Sequence, residues 1–96
     1  MTKAEKSGNI SREFVIRNQY GIHARPAALF VKTAARFEAE VFVERGGNRV
    51  SGKSIMGLMT LAAPCGTRIT LIIRGRDAQA SLEALQKLIE SGFEEQ

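Results

Sequence analysis

The 96-residue chain has one histidine, one cysteine, no tryptophan, two prolines and only 6% aromatic residues. Each shortage removes a class of protein. Cys65 alone cannot close an internal disulfide, and its setting Pro64-Cys65-Gly66 reads as a turn. There is no second histidine or cysteine pair from which to build a metal site, and no cofactor is expected. Basic residues are spread along the chain and aromatics are few, so a nucleic-acid-binding module would rest on charge alone, without a stacking platform or a reading helix. No apolar run is long enough to span a bilayer, and the start MTKAEKSGNIS lacks the apolar segment of a signal peptide. A cytosolic, monomeric protein with no membrane partner is expected.

What is present is ordinary in bulk: 44% hydrophobic and 25% charged residues, enough for one small globular domain. The net charge of +4 suits acidic partners. Phe14 and Ile16 alternate with polar neighbours as in a half-buried strand, closed by NQYG. From Pro26 to about Arg36 the residues Ala27, Phe30, Val31, Ala34 and then Phe37 keep helical spacing, with Lys32 and Arg36 on another face. Val41 and Val43 alternate with Glu40, Phe42 and Glu44, and Gly46-Gly47 turns the chain into a second short strand ending near Gly52. Ser54 can cap a short helix through Leu61, in which Leu58, Leu61 and Ala62 share a core face. The breaker at Pro64 to Gly66 precedes the strand RITLIIRG, with Ile69, Leu71 and Ile73 facing one way. Asp77 then caps a last helix with an apolar stripe of Ala80, Leu82, Ala84, Leu85, Leu88 and Ile89. The order is βαββαβα, an α+β fold with a four-stranded antiparallel sheet and its helices on one face.

The most informative stretch is GIHARPAA. Gly21 permits a turn without a Cβ clash, and Pro26 suits the first position of a helix. His23 therefore lies just outside a helix N-terminus, where unpaired amides and the macrodipole favour an anion. Arg25 adds a permanent charge and a planar fork of donors. These residue types at this spacing suit a phosphoryl group carried on the imidazole. The bland alternative is that His23 is only a cap or surface residue, since Gly21 and Pro26 also have ordinary turn and capping roles.

A rival phosphate motif lies further on. Gly47 to Ser54, GNRVSGKS, satisfies G-x-x-x-x-G-K-[ST], in which Lys53 would reach nucleotide phosphates and Ser54 hold magnesium. Against a P-loop stand the strand-like NRV inside it and the lack of an apolar strand ending in aspartate. The chain is also short for several parallel βαβ units. Ile55, Met56 and Met59 fall on a different side from Leu58, as either extra core or a docking patch that uses the adaptability of methionine.

The stretches GIHARPAALFV and GKSIMGLMTLAAPCGTRITL, over about residues 12 to 93, resemble the histidine-containing phosphocarrier (HPr) family of the bacterial phosphotransferase system. That resemblance implies an open-faced sandwich over residues 12–96, its last strand between the first and second; residues 1–11 precede the family's usual start and, being polar and rich in Gly, Ser and Lys, are expected to be a disordered tail. It implies a carrier rather than an enzyme: His23 accepts a phosphoryl group from phosphorylated enzyme I and passes it to a histidine of an enzyme IIA domain, while Arg25 stabilises the phosphorylated ring. Ile22, Ala24, Lys32, Ile55, Met56 and Met59 would form the partner surface. Ser54 would be a regulatory site for an HPr kinase/phosphorylase. Asn18 in NQYGIHAR and the ending SGFEEQ resemble the nitrogen-branch carriers, whereas Ser54-Ile55-Met56-Gly57 occurs in sugar-branch relatives as well.

Overall fold

Alternating apolar residues, and glycines where the chain must reverse, set the frame. The computed structural model describes residues 8–95, in the order β1 (Asn9–Val15), α1 (Ala24–Ala34), β2 (Glu40–Arg45), β3 (Asn48–Ser51), α2 (Ile55–Thr60), β4 (Arg68–Arg74) and α3 (Ala78–Glu90). The strands form one antiparallel sheet in the order β1-β4-β2-β3, so the last strand lies between the first and second. Ile69, Leu71 and Ile73 of β4 are buried, and their cross-strand neighbours on the same face include Val43 opposite Leu71 and Val41 opposite Ile73. The other face carries half-buried pairs such as Phe42 opposite Ile72, beside charged Glu44 and Arg49. Gly46 and Gly47 close the β2–β3 hairpin with φ of 55° and 85°, the double left-handed geometry that a two-residue loop needs.

The helices cover the apolar face. On α1 the buried positions are Pro26, Ala27, Phe30 and Ala34, and on α3 they are Ala78, Ser81, Leu82, Leu85, Leu88 and Ile89. Helix α1 packs against α2 and α3, while α3 also rests on β1 and β4. No described helix is long and apolar enough to cross a membrane. The architecture is the α+β open-faced sandwich expected from the sequence.

Several expectations change in detail. Strand β1 begins at Asn9, so Asn9, Ile10 and Ser11 belong to the sheet rather than to a tail; Ile10 shares the face of Phe14 and packs on the core. Residues 1–7 of the expected tail lie outside the described residues. Helix α1 starts at Ala24, which makes Pro26 its third residue and not its first, still within the turn whose amides have no intrahelical partner. Helix α2 ends at Thr60; Ala62, expected in the core, is exposed with φ of 48°, and Ala63 is buried instead. On α3 Ala80 faces solvent, and Ser81 occupies the stripe.

The P-loop reading also fails on geometry. Asn48 to Ser51 are paired with β2 and cannot wrap phosphates with their amides. Lys53 Nζ donates to the Phe37 carbonyl at 2.8 Å, beyond the end of α1, and the Ser54 hydroxyl is engaged by its own helix.

Asp77 stands at the start of α3 but makes no side-chain cap there. Its carboxylate instead accepts from the amides of Glu38 and Ala39, each at 2.9 Å, and so ties the α1–β2 loop to α3. The Glu38 amide leads the interactions that hold this carboxyl below its ordinary 3.8. A depressed folded value means that the tie stabilises the fold above the unfolded value and is lost as pH falls through the folded one. Asp77→Asn should therefore lower the urea midpoint at neutral pH, and the gap to the parent protein should narrow in strong acid. Equal midpoints at neutral pH would show that the tie contributes nothing.

Candidate functional site

The loop between β1 and α1 delivers the histidine. Gly21 adopts φ of 67° and its amide donates to the Asn18 carbonyl at 3.1 Å; Ile22 then donates to the Ala63 carbonyl at 2.9 Å. These bonds fix His23 as the N-cap of α1, with its carbonyl accepting from the Ala27 amide at 3.0 Å. The amides of Ala24 and Arg25 have no acceptor among the described residues, and Pro26 has no N–H. The site thus offers unpaired helix-end donors beside a half-exposed ring.

The ring is not free on both sides. His23 Nε2 lies 3.0 Å from Glu95 Oε2, and Asn18 Nδ2 donates to Glu95 Oε1 at 2.9 Å and to the Gly21 carbonyl at 2.6 Å. Asn18 is buried, and its amide nitrogen sits between two acceptors, which fixes the orientation of that side chain. The Asn18 hydrogen bond, followed by that of His23, holds the Glu95 carboxyl below the usual carboxylate range. A carboxylate only accepts, so in the neutral ring Nε2 carries the hydrogen and Nδ1 has the lone pair. Tyr20 meets the ring edge-on at 6.5 Å between centroids. A shallow depression alongside is lined by Arg17, Tyr20, Arg25, Glu90 and Glu94.

Neither Glu95 nor Asn18 was read as a site residue; Asn18 and the ending SGFEEQ, which holds Glu95, were read only as marks of family branch. Glu95 follows His23 by 72 residues, so no local spacing links them. The one signal available was an acidic chain end, which by itself predicts no contact.

The remaining candidates fall in two places. Arg25 and Ala24 are exposed in the first turn of α1, and Lys32 is exposed in its last turn. Ser54 caps α2, its hydroxyl accepting from the Gly57 amide at 2.9 Å, a contact of the kind worth about 1 kcal/mol. Arg45 Nη1 donates to the Leu61 carbonyl at 2.7 Å and fixes the end of this short helix. Ile55, Met56 and Met59 are exposed on α2, Met56 by 72%, so they are surface and not extra core. Ile22 differs from them: at 7% exposure, packed into the core, it has little surface to offer a partner. The resemblance alone had placed it on the partner surface; packing into the core cluster takes most of its side chain out of reach.

The comparisons with known proteins point one way. Residues 10–91 match the family model for the PTS HPr component phosphorylation site. The phosphocarrier protein HPr of Treponema pallidum is 44% identical, over 84% of this chain and 92% of its own. The HPr-like protein Crh of Halalkalibacterium halodurans is 48% identical, over 84% of this chain and 96% of its own. The crystal structure of HPr-C-His from Thermoanaerobacter tengcongensis superposes with a TM-score of 0.87 at 42% identity, covering 91% of this chain and 98% of that one. With a histidine capping a helix at the edge of an open-faced sandwich, and a family match that spans nearly all of the described fold, the chain belongs to the HPr family of the phosphotransferase system.

Proposed function

We propose that this chain is a cytoplasmic phosphoryl carrier: Nδ1 of His23 takes the group from phosphorylated enzyme I and delivers it to a histidine of an enzyme IIA domain. The observation that supports this reading best is the divided ring. Nε2 is engaged by a carboxylate, which leaves the other nitrogen as the nucleophile at a helix start with unpaired amides. Arg25 adds charge to receive the phosphoryl oxygens. The side chain at the acceptor position is partly exposed, as a carrier that must both accept and donate requires. The partner surface comprises Ala24, Lys32, Ile55, Met56 and Met59, with Ile22 behind it in the core. Incubation of the protein with phosphoenolpyruvate and enzyme I, then location of the phosphate by mass spectrometry, tests this; a phosphate found anywhere but His23, or none at all, sinks the reading.

Ser54 is the proposed regulatory position, modified by an HPr kinase/phosphorylase. A phosphate there adds about −1.5 to −2 charges beside the exposed patch on α2 and disfavours an acidic partner. Ser54→Asp should raise the apparent KM for enzyme I by roughly tenfold with kcat little changed, the effect of about 1.4 kcal/mol of lost docking. Identical KM and kcat in the two proteins would remove this role.

A further inference from the structure

The segment after α3 is shaped to return to the acceptor. Gly92, Phe93 and Glu94 have φ of 66°, 57° and 61°, left-handed residues in succession. Phe93 and Glu94 each carry a Cβ that resists this conformation. Phe93 is fully buried, and its amide donates to the Leu88 carbonyl at 2.8 Å, so burial of the phenyl group offsets the strain. The turn brings Glu95 back to the β1–α1 loop, between Asn18 and His23.

We infer that Glu95 and Asn18 are positioning residues for phosphoryl transfer: Glu95 keeps the hydrogen of the neutral His23 ring on Nε2, and Asn18 fixes the carboxylate that does so. This rests on the carrier reading above. Glu95 Oε1 is committed to Asn18 Nδ2, which cannot turn over because its other partner, the Gly21 carbonyl, also only accepts. Oε2 is then held against Nε2, and Nδ1 is ready to attack without a prior proton shift. In the transfer, the N–P bond of the donor's phosphoimidazolium breaks as the Nδ1–P bond forms. The donor ring leaves as neutral imidazole with its own N–H. The His23 ring keeps its Nε2 hydrogen and becomes cationic next to Glu95, and onward transfer runs the same step in reverse. The other charged groups facing this carboxylate are Arg17, Arg25, Glu90 and Glu94, and none of them is hydrogen-bonded to the ring among the described residues.

Glu95→Gln separates this role from mere anchoring. The glutamine carbonyl must face Asn18 Nδ2, so its NH2 faces Nε2, which can then only accept. The hydrogen is driven to Nδ1 and the nucleophile is blocked, as when an amide replaces the carboxylate partner of a catalytic histidine. Glu95→Ala removes the partner without imposing the wrong tautomer. Nitrogen-15 spectra of the neutral ring should show the Nε2–H form in the parent protein and a shift toward Nδ1–H in Glu95→Gln. Phosphoryl acceptance by Glu95→Gln should be slower than by Glu95→Ala by about tenfold. Adding Asn18→Ala to Glu95→Gln frees the amide to turn over and should restore most of the rate. A purely structural clasp gives the opposite order, with alanine the slower, and that order or an unchanged Nε2–H form in Glu95→Gln would overturn the inference. The spectra need no phosphoryl donor, so they decide it even if the parent protein accepts no phosphate, a result that would defeat the carrier reading instead.

Discussion

Substituting alanine for His23 is expected to abolish labelling from phosphoenolpyruvate and enzyme I, with the rate falling to background. The chain holds no other imidazole, and a carrier of this kind transfers between ring nitrogens of matched reactivity. Cys65 is exposed, yet it lies on a different loop and its sulfur rests on the Arg17 carbonyl at 3.6 Å. The loss should be chemical and not a failure to fold. His23 makes no side-chain cap to α1, and the carbonyl that accepts from Ala27 remains in the variant. Stability should change little, the Glu95 contact being partly exposed. Urea unfolding beside a labelling time course reads both quantities. Arg25→Ala supplies the contrast, since it should slow labelling by about ten- to a hundredfold while still reaching completion. Stoichiometric labelling of His23→Ala would put the acceptor elsewhere.

The second large effect is on stability. Gly21→Ala should lower the melting temperature by about 10–25 °C, corresponding to about 2–4 kcal/mol. Two costs add. A φ of 67° disfavours a side chain by about 1 kcal/mol. The new Cβ would also collide with the Ala63 carbonyl oxygen and lie 2.8 Å from Pro64 Cα, both backbone atoms that cannot swing aside, an overpacking worth about 1–3 kcal/mol. That same carbonyl holds the Ile22 amide, so relief of the clash moves the β1–α1 loop on which His23 lies. Gly66→Ala is the control: its φ is 90°, but nothing lies within 4 Å of the new Cβ, so only the conformational penalty of about 1 kcal/mol applies. Thermal melts followed by circular dichroism distinguish the two, and equal shifts would remove the collision from the account.

Much of this was legible in the sequence because it is local. Alternation in RITLIIRG specifies one buried face of β4, and Gly46-Gly47 specifies the hairpin, each through neighbours a few residues apart. Ser54 was legible as a helix cap, and His23 as lying at a helix start, for the same reason. What escaped depends on tertiary contact. Asp77 has the residue type and place of a cap, yet its carboxylate is taken by amides about forty residues earlier, a choice set by loop packing and not by propensity. The burial of Ile22 was not legible either, because side-chain direction in an irregular loop follows from tertiary packing, which no periodicity encodes. Glu95 was missed because its path to His23 depends on left-handed residues of which only Gly92 announces itself.

The position of β4 has a consequence for how the molecule comes into being. Strands β1 and β2 never pair with each other; they are joined through β4, residues 68–74, the last strand of the sheet to be made. A nascent chain stopped before that point holds a hairpin, an unpaired edge and helices with nothing to lie on. The loop closures that link β1 to β4 must be made at one late step, which slows a topology of such distant partners relative to a helical bundle of equal length. Ribosome-bound chains of increasing length should therefore gain protease resistance abruptly once β4 has emerged, rather than turn by turn.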